Sequence, residues 1–86
     1  MDAIEFPGPA VLENDGGLAY RAKVHGVTVS CRFTAECLQD VNPFLRSASR
    51  IAQFEASSQK LLGIAEAKIK AGEVEDGVVW VFTRDL

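Results

Sequence analysis

The strongest constraint this chain places on its own fold is a period-2 pattern running from Leu18 to Thr34, broken once at His25-Gly26. Leu18, Tyr20, Ala22 and Val24, then Val27, Val29, Cys31 and Phe33, fall on one side of the alternation. Ala19, Arg21 and Lys23, then Thr28, Ser30 and Arg32, fall on the other. Alternation at this period specifies a half-buried strand. Two adjacent residues whose types tolerate positive φ specify a two-residue hairpin turn. A turn of that length fixes the register: Val24 opposite Val27, Ala22 opposite Val29, Tyr20 opposite Cys31 and Leu18 opposite Phe33. On the second face it sets Lys23 against Thr28, Arg21 against Ser30 and Ala19 against Arg32. A slip of one residue would carry charges into the core, so the register is strongly specified.

The remaining elements follow from punctuation. Ile4 and Phe6 alternate until Pro7-Gly8-Pro9 stops them, giving at most a short N-terminal edge strand. Asn14-Asp15-Gly16-Gly17 is a loop signal, leaving Ala10 to Leu12 as a brief apolar stretch. Thr34 is the N-cap of a short helix with Glu36 in its first turn, which ends at Asn42-Pro43. Asn42 in turn caps a turn containing Phe44 and Leu45. From Ser49 to about Ala71, Ile51, Phe54, Leu61, Leu62, Ala65 and Ile69 recur near the helical period, with Glu66 and Lys70 as an i,i+4 pair. Gly72 is the C-terminal stop. Ser57-Ser58 and Gly63 weaken the middle of this long helix, and Gly63 reads as a close-packing point or a slight bend. Val78 to Thr83 is a last strand, rich in β-branched and aromatic residues.

These elements predict one α+β domain over residues 1–86. A small antiparallel sheet, made of the hairpin, the N-terminal edge strand and the C-terminal strand, has a short and a long helix packed on one face. At 86 residues and 48% apolar content the chain is globular, with a core small enough that a partner surface would add to its stability. No stretch has the ~20 apolar residues of a membrane span, and the first residues lack the order of a signal peptide. A reducing cytoplasm is the expected setting, with Cys31 and Cys37 as free, buried thiols, against the alternative of a bridge between them, since only a few residues join the strand to the helix there. The formal charge of −3 and a pI near 5.0 disfavour nucleic acid as a partner.

Catalytic constellations are thin. A single histidine, His25, sits at a turn, so no His-based metal cluster is expected. Two cysteines and one histidine match none of the usual zinc spacings. Cys37 opens a helix, where a thiolate gains from the dipole, yet a buried thiol is the simpler reading. The acids Glu73, Glu75 and Asp76 crowd a turn, and the glycines form no phosphate-cradling pattern. Neither cofactor nor metal is expected, and the chain is read as non-enzymatic.

Two surfaces remain. Arg21, Lys23 and Arg32, with His25 at the turn, compose a candidate anion- or partner-binding patch, against the simpler reading of a solvated face that discourages aggregation. The last strand is apolar on both sides, Val78, Trp80 and Phe82 on one and Val79 and Val81 on the other. One side must join the core. Val79 and Val81 are assigned to the other, as a self-association surface beside the cationic face, unless Arg and Lys stems cover it.

In order along the chain stand I-x-F-P at Ile4–Pro7, Y-R-A-K-V-x-G-V-x-V-x-C across the hairpin, T-x-E-x-L after it, I-A-x-F opening the long helix, A-x-x-x-I-x-x-G closing it and V-x-V-F-T-x-D-L at the end. In these features the whole chain resembles the small bacterial domain-of-unknown-function family DUF1488. The resemblance implies an α+β fold and a bacterial cytoplasmic setting, and it carries no catalytic residue, cofactor or activity. The expected role is a self-associating, non-enzymatic interaction or accessory protein, with an unknown protein partner. The alternative is a binding module for an anionic ligand or nucleic acid through Arg21, Lys23 and Arg32.

Overall fold

The computed structural model describes residues 4–86. Strands β1 (Ile4–Glu5), β2 (Ala10–Leu12), β3 (Leu18–Val24), β4 (Val27–Phe33) and β5 (Val78–Val81) form one mixed, mostly antiparallel sheet. Helices α1 (Ala35–Val41), α2 (Arg50–Ala56) and α3 (Ser58–Lys70) lie between β4 and β5 in the chain, and 3-10 turns occupy Pro43–Leu45 and Thr83–Asp85. The fold is α+β.

Every pair of the expected hairpin register is present, from Val24 opposite Val27 to Leu18 opposite Phe33. The turn takes positive φ at both positions, 52° at His25 and 79° at Gly26, the backbone that matches the twist of the flanking strands. β1 and β2 both pair antiparallel with β3, at Ile4↔Val24 and Ala10↔Tyr20. They form one edge of the sheet, interrupted where Pro7 and Pro9 have no N–H to donate.

The other edge departs from an all-antiparallel sheet. β5 pairs with β4 in parallel, through Ser30↔Val78, Cys31↔Val79, Arg32↔Trp80 and Phe33↔Val81. Parallel neighbours need a crossover, and the three helices supply it. The long helical stretch from Ser49 is two helices, because Ser57 leaves the helical region at φ −127°, ψ 22°. Serine competes for backbone hydrogen bonds, and the break falls at that weak point. Gly63 is not a close-packing point, since a Cβ there would meet nothing within 4 Å, and α3 runs through it without a break.

This register also overturns the face assigned to the last strand. Val79 and Val81 pair with Cys31 and Phe33, which belong to the core side. Directly paired residues share a face, so both valines are buried, at 1% and 0% exposure. They face the helices and offer nothing to a second copy; the outward side of β5 carries Val78, Trp80 and Phe82.

The core lies between the sheet and the helices. Leu18, Ala22, Val29, Cys31, Phe33, Val79 and Val81 meet Cys37 and Leu38 of α1, Phe54 of α2, and Leu61 and Ala65 of α3. Phe54 stacks on Tyr20 with ring centroids 5.1 Å apart and tilts against Phe33 at 5.4 Å. Thr34 caps α1 by accepting the Cys37 N–H at 3.1 Å, and Ser49 caps α2 through the Ala52 N–H. Among the described residues, no helix is long and apolar enough to cross a membrane.

Candidate functional site

With the helices on one face of the sheet, the outward positions of all five strands form the second face. Pairing arranges them in rows. Val11, Ala19, Arg32 and Trp80 make one row across the sheet; Arg21, Ser30 and Val78 make the next; Glu5, Lys23 and Thr28 a third. Sequence alternation placed Arg21, Lys23 and Arg32 on a common face, and the structure keeps them there. His25 sits in the turn at the end of the hairpin, beside Ile4, Val24, Ile69 and Lys70.

Acids that the hairpin alone did not reveal moderate this face. Glu5 pairs with Lys23 in the ladder, and Glu13 Oε1 lies 3.4 Å from Arg32 Nη2. Ala19 on β3 pairs with Arg32 and with Val11 of β2, the strand that Glu13 follows. On its other side the Arg32 guanidinium lies 5.5 Å from the centroid of the Trp80 ring. Packed in this way, Arg32 Nε is covered and has no acceptor, while stacking on the indole compensates part of that cost.

Trp80 continues the arrangement. Its ring stacks on Phe82 at 5.9 Å and 10°, and the Arg84 guanidinium lies 4.4 Å from the Phe82 centroid. Arg32, Trp80, Phe82 and Arg84 therefore form a stack of two rings with a guanidinium at each end. Trp80 remains 37% exposed, held flat by both neighbours. At the opposite side of the same face, Pro9, Val11, Ala19, Arg21, Thr28 and Ser30 line a shallow dimple of about 170 Å³.

The backbone along the open side of β5 is engaged by its own chain. Val78 exchanges both backbone hydrogen bonds with Glu75, the Trp80 carbonyl accepts from Lys68 Nζ at 2.7 Å, and the Phe82 N–H donates to Asp85 Oδ2 at 2.8 Å. Polar groups that occupy an edge strand in this way discourage strand addition. Burial alone would raise the Asp85 carboxyl. The Lys68 and Phe82 hydrogen bonds, with the charges of Lys68 and Arg84, outweigh it and hold the group below the ordinary aspartate value.

The thiols are placed for packing. Cys31 and Cys37 are free and fully buried. Burial pushes Cys31 up to about 11. Cys37 also rises to about 11, through burial first and then Asp85 and Asp40, against the opposing charges of Lys60 and Lys68. A thiol so protonated is a poor nucleophile at neutral pH, so the dipole of α1 does not activate Cys37. Among the described residues, no group of three or more His, Cys, Asp or Glu side chains is placed to hold a metal ion.

Trp80, Phe82, Glu13 and Arg84 escaped sequence reasoning as members of this surface. The side of β5 that faces outward depends on its pairing with β4, and only the apolar character of both sides was visible in advance.

Comparison with known proteins gives a consistent picture. The model of a protein family described as "Protein of unknown function (DUF1488)" matches residues 4–81. Among solved structures, a protein of unknown function from the DUF1488 family of Shewanella loihica PV-4 superposes with a TM-score of 0.78 at 16% identity, covering 94% of this chain and 93% of that one. At that identity the likeness is one of fold. No curated protein matches the sequence significantly.

Proposed function

The chain belongs to the DUF1488 family of proteins of unknown function, and from that premise we propose that it acts by binding rather than by catalysis, as a small interaction module in the cytoplasm. The outer face of its sheet is the recognition surface. One observation carries this reading: Trp80 is exposed on the edge strand of a face the helices leave uncovered, yet it is fixed between Phe82 and Arg32. Rigid, partly exposed Trp and Arg side chains are the residues that most often carry binding energy at protein interfaces. Immobilising them in advance lowers the entropic cost of association. Buried, protonated thiols support a binding role over thiol chemistry. Free cysteines also suit a reducing compartment.

A photo-crosslinking residue placed at Trp80, and separately at the exposed helix position Lys60, tests the reading in the cell that makes the protein. Discrete adducts from position 80 and none from position 60 are expected. Equal labelling from both positions would overturn the proposal, because the outer face would then have no preference over the helical one.

A further inference from the structure

We infer that the occupant of the outer face is a second copy of this chain, seated face to face about a two-fold axis that runs along the strands. The inference rests on the reading of that face as the interaction surface and names its partner. Such an axis keeps each row at its own level and reverses its order. In the row Val11, Ala19, Arg32, Trp80, Trp80 of one copy meets Val11 of the other, and Arg32 meets Ala19. In the row below, Arg21 meets Ser30, and Val78 meets the Pro9 side of the dimple. In the next, Lys23 meets Thr28.

Each long cation thus meets a small or neutral residue, and Trp80 and Val78 of β5 meet the Val11 and Pro9 side of the dimple, whose remaining lining is Ala19, Arg21, Thr28 and Ser30. No two cations coincide. The alternative two-fold, across the strands through the centre of the face, sets Arg21 directly over its own copy, which like-charge repulsion disfavours. The usual angle between packed sheets shifts facing residues by about one position without changing which strands meet. One obstructed edge adds to the argument: on β5 the Val78 backbone, the Trp80 carbonyl and the Phe82 N–H are taken by Glu75, Lys68 and Asp85, which discourages strand addition there. A face of four strands at the ~4.8 Å strand spacing buries an area at the low end for specific interfaces.

Sedimentation equilibrium on the full chain tests this, with circular dichroism to confirm folding. Wild type is expected to dimerise at or below about 200 µM, within the weak range of protein association. Ser30→Arg confronts Arg21 of the other copy twice and is expected to be monomeric, whereas an equimolar mixture of Ser30→Arg with Arg21→Asp recovers the mass of a 1:1 dimer. That recovery requires pairing between chains, since Arg21 and Ser30 of one chain cannot produce it. Trp80→Ala, which leaves the core intact, is expected to weaken the dimer at least about tenfold. A monomeric wild type, an unrestored mixture or an unaffected Trp80→Ala variant each overturns the second-copy inference. A monomer whose position 80 crosslinks to a different protein removes the second copy and leaves the surface reading standing.

Discussion

Lys68 Nζ lies 2.6 Å from Asp85 Oδ2 and 2.7 Å from the carbonyl oxygen of Trp80, so one ammonium ties α3, β5 and the terminal turn together. The same carboxylate oxygen accepts the Phe82 N–H. β5 has only four residues and a single neighbouring strand, and this cluster compensates for the missing second neighbour. It also positions Phe82 under Arg84, and Phe82 in turn supports Trp80. The Arg32–Trp80–Phe82–Arg84 stack on the outer face therefore depends on an ion pair at the strand edge.

That dependence gives a pH signature. Asp85 is held below the ordinary aspartate value in the folded chain, while in the unfolded chain it titrates near 3.9. A group with a depressed folded value contributes stability that is fully present above its unfolded pKa and is lost as pH falls through the folded one. Wild type should therefore lose melting temperature as pH drops below about 4, in part through this group. Asp85→Asn should be less stable at neutral pH by about 1 kcal/mol, discounted for partial solvent screening, and should show a shallower acid dependence. Thermal melts of both proteins from neutral to acid pH check the prediction; parallel curves would remove Asp85 from the account.

A second internal polar group secures the other end of the molecule. Gln53 is fully buried and donates through Nε2 to the carbonyls of Leu45 and Arg46, at 2.9 and 3.3 Å. Its Oε1 accepts from Arg50 Nη1, and Arg50 Nε reaches Gly16 O at 2.9 Å. These bonds hold the Pro43–Leu45 turn and the loop before β3 to α2. Gln53→Leu keeps the volume but leaves carbonyls unpaired in a dry site, which should cost about 2–3 kcal/mol. Urea denaturation measures it directly. A loss below about 0.5 kcal/mol would mean that water replaces the amide.

Legibility from sequence divides along the same line as local and non-local physics. The hairpin register, the Thr34 and Asn42 caps and the stop at Gly72 were all readable, because each depends on residues adjacent in the chain. The direction of β5 was not, since it depends on how a 44-residue stretch from Thr34 to Gly77 returns to the sheet. That one undetermined choice carried the outward face with it: alternation gave Val79 and Val81 a common side, but only pairing with Cys31 and Phe33 says which side. Gln53 was hidden for a related reason, because its partners lie in a separate turn and its type alone suggests an exposed helix position.

Two glycines give opposite expectations, and together they test how tightly the hairpin end is packed. A Cβ on Gly17 would lie 2.6 Å from the carbonyl oxygen of Phe33 and 3.1 Å from Asp15 Oδ1. The nearer atom is backbone at the end of β4, one residue before the Thr34 cap, and it cannot swing aside as a side chain would. Gly17→Ala must therefore displace the Leu18–Phe33 end of the sheet, at a cost of about 1–3 kcal/mol. Gly63 lies in the exposed middle of α3, where an added Cβ meets nothing within 4 Å, and its φ lies outside the left-handed region. Gly63→Ala removes backbone freedom from the unfolded chain and should stabilise by about 0.5–1 kcal/mol. For a domain of this size those changes correspond to shifts of about 4–8 °C per kcal/mol in melting temperature, downward for Gly17→Ala and upward for Gly63→Ala. Equal and small shifts for both would mean that the loop before β3 relaxes freely and that the close approach to Phe33 does not constrain it.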